Sequence, residues 1–221
     1  MGELGYSTLR ERMVDAIRVK ILNGELKPGD RIIESDLSAE FGTSRGPIRE
    51  ALRQIEQEGL IEYKRNAGCS VKEVTVKDIY EIYLLSSTYE ILAVQSYNAE
   101  FTEEDFEKMD RILMLMKNLP GENYPELVSL DGAFHGLLVK KCSMPRLIKA
   151  WTDLEYGNII SVYAGNQDAE TIRKRQYPIH KVIVDACRTK DVEKISAAIT
   201  DHYMLTIKRL LKEEKEKQEQ D

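Results

Sequence analysis

From Thr75 onward the chain repeats apolar residues at three- and four-residue spacing and never alternates apolar with polar. That half can fold only as packed amphipathic helices. The spacing predicts helices over 76–100, 103–118, 123–141, 145–164, 168–188 and 191–214. The breaks fall at Phe101-Thr102, Leu119-Pro120-Gly121, Ser143-Met144-Pro145, Gly165-Asn166 and Thr189-Lys190, where glycine, proline or a capping residue stops a helix. Thr75-Val76-Lys77-Asp78 reads as a helix N-cap with an acidic third position. Six helices joined by short breaks make an antiparallel bundle. The stretch Lys212 to Asp221 is charged throughout and reads as a frayed helix end.

The residues before Val74 have a different rhythm. Met13, Ile17 and Ile21 recur every fourth residue, predicting a helix over 12–22 that stops at Asn23-Gly24. A turn at Lys27-Pro28-Gly29-Asp30 leads to a short helix from Ser35 to Phe41. After Gly42 a second helix starts near Thr43-Ser44, carries Pro47 in its first turn and runs to Glu58. Leu60 to Tyr63, a polar turn Lys64 to Gly68, and Cys69 to Lys72 form a hairpin. Helix, helix, tight turn, helix and hairpin is the order of a winged helix-turn-helix. The fold class expected is therefore mainly α, with a winged helix-turn-helix in 1–73 and a helical bundle of about six helices in 74–221.

Composition excludes several alternatives. With 42% hydrophobic and 32% charged residues, 13 Gly and 6 Pro, the chain is neither disordered nor a turn-rich all-β protein. Acidic side chains outnumber basic ones, 38 to 32, so any nucleic-acid surface must be local. No apolar run is long enough to span a bilayer, and Met1 to Tyr6 lacks a signal pattern, which points to the cytoplasm. Cys69, Cys142 and Cys187 are an odd, scattered set that suits reduced thiols. Cys69, in a turn or strand, is the one of the three that could be reactive.

Two constellations carry chemistry. Arg45, Arg49 and Arg53 line one face of the second helix of the N-terminal part, opposite Ile48, Leu52 and Ile55. Arginines there can reach guanine edges in a major groove, with Thr43 and Ser44 on phosphate at the helix start and Lys64 and Arg65 in the hairpin touching the backbone. A solvated face is the competing reading, since Glu50, Glu56 and Glu58 accompany the arginines. The second constellation is the three histidines. Asp131 and His135 share a helix face; His180 and His202 lie on the last two helices. Imidazole and carboxylate are ordinary ligands for a divalent transition ion, and a bundle can converge them on one interior point. Spacing alone favours three separate histidines, each hydrogen-bonded or surface-exposed.

Residues 34–71, with Ser44-Arg45-Gly46-Pro47-Ile48-Arg49-Glu50-Ala51-Leu52, the later Glu58-Gly59-Leu60, and then Asn66-Ala67-Gly68 and Val71, resemble the DNA-binding domain of GntR-family bacterial transcription regulators. The resemblance implies that Arg45 and Arg49 contact bases, Thr43 and Ser44 hold phosphate, and Gly68 is the wing-tip glycine. One departure is Ser35, where some members carry an arginine. Residues 77–214 resemble the FCD ligand-binding domain of the FadR-type branch, in its shorter VanR-like, metal-binding form. That resemblance implies a metal held by Asp131, His135, His180 and His202, and an organic acid bound partly to the metal. Zinc comes first, with nickel, iron, manganese or cobalt also fitting mixed nitrogen and oxygen ligands. Many relatives carry an arginine four residues before a glutamate on the first bundle helix; Ser86 precedes Glu90 here. Arg173, seven residues before His180, is a substitute anchor, with Tyr83 and Asn158 as polar pocket residues.

Together these imply a homodimeric, metabolite-responsive regulator, a repressor on family habit, that binds operator DNA and a small carboxylic acid. It is not an enzyme and does not associate with membranes. Two alternatives stand beside it: a metal-dependent enzyme, for which Glu90 or Glu155 would have to supply the base, and a purely structural metal site.

Overall fold

The computed structural model describes the backbone of residues 8–64, 68–120, 123–164 and 169–218; the side chains of 124, 155–164, 169, 217 and 218 lie outside the described set. The chain divides into two compact units, Met1–Val74 and Thr75–Asp221.

The first unit opens on α1 (Leu9–Leu22), where the Thr8 hydroxyl accepts from the Glu11 N–H and the Glu11 carboxylate accepts from the Thr8 N–H. This reciprocal cap satisfies two otherwise orphaned donors and starts the helix three residues earlier than periodicity suggests. A left-handed Gly29 (φ +86) turns the chain into β1 (Arg31–Ile32). Then come α2 (Glu34–Glu40), a turn through Gly42 (φ +61), α3 (Arg45–Gln57), β2 (Ile61–Lys64) and β3 (Gly68–Val71). The sheet order is β1-β3-β2, antiparallel throughout, with Ile61 opposite Val71 and Arg31 opposite Ser70. Ile48, Leu52 and Ile55 of α3 are fully buried and pack with Ile17 of α1 in the core of this unit. Burying each such side chain contributes about 1.5–3 kcal/mol. Cys69 is buried in β3, and burial pushes its thiol up to about 11, so it is not the reactive residue its position suggested.

The second unit is the expected bundle: α4 (Val76–Ser96), α5 (Glu103–Asn118), α6 (Tyr124–Lys140), α7 (Pro145–Ala164), α8 (Ala169–Arg188) and α9 (Val192–Gln218). Capping boxes at Thr75–Asp78 and Thr102–Asp105 start α4 and α5. The α4 helix ends short of residue 100 because Asn98 and Ala99 turn left-handed (φ 49 and 52). The charged tail does not fray at Lys212; α9 continues to Gln218, supported by the ion pairs Arg209–Glu213 (2.8 Å) and Lys212–Glu216 (3.7 Å) along one face. The α4 helix packs on α6, α7 and α9, and α5 packs on α6 and α8. Between these helices the apolar core of Ile79, Met109, Phe134, Leu138, Ile183 and Ile199 is interrupted by the buried side chains of Glu90, His135 and His180. No helix among the described residues is long and apolar enough to cross a membrane.

Candidate functional site

Position in the helices brings the three histidines together. His135 projects inward from α6, His180 from α8 and His202 from α9. One ring nitrogen from each lies within 4.8 Å of the others. Ring centroids stand 5.2 Å apart for His135–His180, 4.9 Å for His135–His202 and 4.6 Å for His180–His202. Asp131, one turn before His135, places Oδ1 3.0 Å from His180 Nε2.

Hydrogen bonds fix the tautomers. His180 Nδ1–H donates to the Gln176 carbonyl at 2.8 Å. Its Nε2 faces Asp131 Oδ1 at 3.0 Å, a contact that a proton makes into a hydrogen bond and that a cation could equally occupy. His135 Nδ1–H donates to Glu90 Oε2 at 2.9 Å, which directs Nε2 toward the other rings. His202 Nδ1 is buried with no hydrogen-bond partner among the described residues. Burial, reinforced by His180 and His135, holds His202 well below its ordinary pKa, so it is neutral and ready to donate a lone pair. Burial acts to raise the Asp131 carboxyl, but the hydrogen bond to His180 and the pull of the three imidazoles outweigh it and keep it well below the usual carboxylate range. Three imidazoles, one anionic carboxylate and an orphaned ring nitrogen suit a divalent transition ion, with positions left open for other oxygen donors.

Glu90 is the residue whose part is least visible in the sequence. It is completely buried on α4. Oε2 accepts from His135, and Oε1 accepts from the Trp151 indole N–H at 3.2 Å and from the Tyr203 hydroxyl. Burial and the Glu90 charge raise the Tyr203 hydroxyl well above its ordinary pKa, so it remains a donor. A carboxylate behind a ligating imidazole orients the ring and raises its basicity. Trp151, whose sequence setting suggests core packing alone, is thus also a hydrogen-bond donor. We expect Glu90→Gln to weaken metal binding 10–100-fold, the range typical of lost outer hydrogen bonds, as read by competition with a chelating dye. Wild-type affinity in that variant would show that Glu90 serves packing alone.

The three effector candidates fare differently. Tyr83 is buried, with its ring edge-on to Tyr203 at 5.1 Å. Arg173 is half-exposed on α8. The Asn158 side chain lies outside the described residues.

In the first unit, α3 presents Arg45, Arg49 and Arg53 on its exposed side. Arg49 Nε is 2.8 Å from Glu34 and Arg53 is 3.2 Å from Glu50, while Arg45 makes no ion pair among the described residues. Ser44 is the N-cap of α3, yet its side chain makes no capping bond, leaving its hydroxyl and the first-turn N–H groups open to an anion. Thr43 donates its backbone N–H to the Ser38 carbonyl. On the hairpin, Lys64 pairs with Glu62 at 2.7 Å, Gly68 takes φ +86, and Arg65 lies outside the described residues. A Cβ at Gly68 would meet the Arg31 guanidinium at 3.5 Å, so Arg31 sits against the base of the wing.

Comparison with known proteins agrees with both halves. Residues 9–71 match the family described as bacterial regulatory proteins, gntR family, and residues 81–204 match the FCD domain. The chain is 32% identical over 192 residues to the uncharacterized HTH-type transcriptional regulator YdhC of Bacillus subtilis, covering 85% of this chain and 84% of that one. It is 27% identical to a probable D-xylose utilization operon transcriptional repressor of Paenarthrobacter nicotinovorans, covering 90% and 87%. The solved structure of E. coli McbR/YncC shares its fold, with a TM-score of 0.74 at 19% identity over 94% of this chain and 99% of that one. These matches are to transcription regulators, which favours the regulator reading over the metalloenzyme alternative. The chain belongs to the GntR family of bacterial transcription regulators, in the FadR-type branch that joins the DNA-binding domain to an FCD domain.

Proposed function

We propose that this regulator is a homodimeric, metabolite-responsive repressor. Residues 1–73 bind a near-palindromic operator, and 74–221 bind a divalent transition ion, zinc first, together with a small carboxylic acid. Arg45 and Arg49 read base edges; Thr43, Ser44, Arg53, Lys64 and Arg65 hold phosphates, and Gly68 lets the wing approach the duplex. Asp131, His135, His180 and His202 hold the ion. The observation that carries this reading is the convergence of three imidazoles within 4.8 Å in a buried interior, one with an orphaned nitrogen. The acid acts only if it binds the DNA-competent and DNA-incompetent arrangements with different affinity. Named repressors among the relatives support repression.

The test is operator release. DNA selected by the protein from a random library is labelled, and its anisotropy is followed while organic acids are titrated into zinc-loaded and chelator-treated protein. One acid releasing DNA from the zinc-loaded protein alone is the expected result. Equal release from both would remove the metal from the sensor, and the absence of any selected sequence would defeat the operator-binding reading.

A further inference from the structure

The three-stranded sheet of the first unit has one buried face and one open face. Ile32, Cys69, Val71 and Ile61 are buried beneath it. Side chains alternate along a strand, so the open face carries Arg31 of β1, Gly68 and Ser70 of β3, and Glu62 and Lys64 of β2. The central strand is β3. Arg31 is opposite Ser70, but its guanidinium leans one step along β3: Nη2 would stand 3.5 Å and Nε 3.6 Å from a Cβ at Gly68. On the other side, the register partner of Gly68 is Lys64. At that step the central strand raises no side chain between two cations whose backbones are about 10 Å apart.

Arg31 is exposed and makes no hydrogen bond or ion pair among the described residues. Its basic neighbours are engaged: Lys64 with Glu62 at 2.7 Å, and Arg49 with Glu34 at 2.8 Å. A phosphate that reaches Lys64 or Arg49 competes with a carboxylate already in place. A phosphate that reaches Arg31 displaces none among the described residues, and the guanidinium fork matches two of its oxygens. Arg31 is also tied to the helix that presents the arginines. Glu34, which holds Arg49, is three residues further on, no more than about 11 Å of chain. The side chain thus stands between α3 and the hairpin that begins its return at Gly68.

We infer that Arg31 holds a phosphate of the duplex backbone on the open face of the sheet, with Lys64 across Gly68 as the second cation of that subsite. Contact with DNA then begins on β1 and is not confined to α3 and the hairpin. The inference rests on the operator-binding reading above and adds a residue and a subsite to it. Gly68 gains a second role: the bare step it leaves on β3 is where the Arg31 guanidinium lies.

The test uses full-length protein and two duplexes, one selected from a random library and one scrambled, with anisotropy followed at several salt concentrations. Arg31→Ala is expected to weaken both duplexes by a similar factor and to flatten the salt dependence by about 0.9 in log affinity per log salt for each subunit bound. At about 0.1 M salt that is roughly eightfold per subunit. Arg31→Lys keeps the charge and should keep the slope, and the melting temperature should hold in both variants. Duplexes carrying a single neutral methylphosphonate then locate the contact. Wild-type protein should lose affinity at one backbone position per half-site where Arg31→Ala loses nothing further. An unchanged slope for Arg31→Ala, a lysine variant as weak as the alanine one, or identical methylphosphonate profiles for wild type and Arg31→Ala overturns the subsite. Loss confined to the selected duplex overturns it too, because it marks a base reader. Failure of the underlying reading looks different: wild-type protein then binds neither duplex.

Discussion

His202→Ala protein is expected to fold normally and to come out of dialysis without stoichiometric metal. The choice of residue matters. His135 is tied to the buried Glu90, and His180 to a backbone carbonyl, so truncating either also strands a buried partner. His202 is only partly buried as a residue, and its orphaned Nδ1 anchors nothing among the described residues. Its removal should therefore take away one ligand without breaking a polar network. If four protein ligands share an apparent binding energy of roughly 10–16 kcal/mol, one imidazole accounts for about 2.5–4 kcal/mol, or roughly 60- to 700-fold in affinity. Elemental analysis and competition against a chelating dye read the effect, with far-UV circular dichroism as the control for folding. Full metal content in this variant would break the ligand assignment.

The second large effect concerns DNA. Arg49→Ala should cost about 1–3 kcal/mol per half-site because a base edge goes unread, and roughly twice that for a dimer on a two-fold operator. Stability should hardly change: the Arg49 side chain is 56% exposed and its pair with Glu34 is a surface ion pair. If Arg49 reads a base, its ion pair with Glu34 has to open first, at a small cost for so exposed a pair. Arg53→Ala provides the contrast. Removing a phosphate-binding guanidinium there should weaken specific and non-specific DNA alike and flatten the salt dependence. Anisotropy titrations on selected and scrambled DNA at several salt concentrations separate the two. An unchanged specificity ratio for Arg49→Ala would remove it from the base-reading set.

Most of the architecture is legible in the sequence because helices announce themselves locally. Proline and glycine at Leu119-Pro120-Gly121 and Ser143-Met144-Pro145, and the threonine cap at Thr75, put five of the six bundle helices within a few residues of their observed ends, and α9 departs only in its charged tail. The tail departs because its i,i+4 ion pairs supply what apolar packing does not. The two-residue β1 has no periodicity to reveal it; it exists only because β3 lies beside it. The site divides the same way. Asp131 and His135 share a face through helix geometry alone, whereas His180 and His202 join them only through family resemblance. Glu90 is hard to read as part of the site because its partners are 45, 61 and 113 residues away in the chain.

Glu90 accepts hydrogen bonds from three helices other than its own: α6 through His135, α7 through Trp151 and α9 through Tyr203. Drawing any one of the four helices away would leave a donor or a carboxylate stranded in an apolar interior, at about 1–3 kcal/mol for a neutral group and more for the charge. That penalty makes partial opening of the bundle unattractive next to displacement of all four helices together. The carboxylate thus works as a keystone that ties α4, α6, α7 and α9 into a single cooperative block.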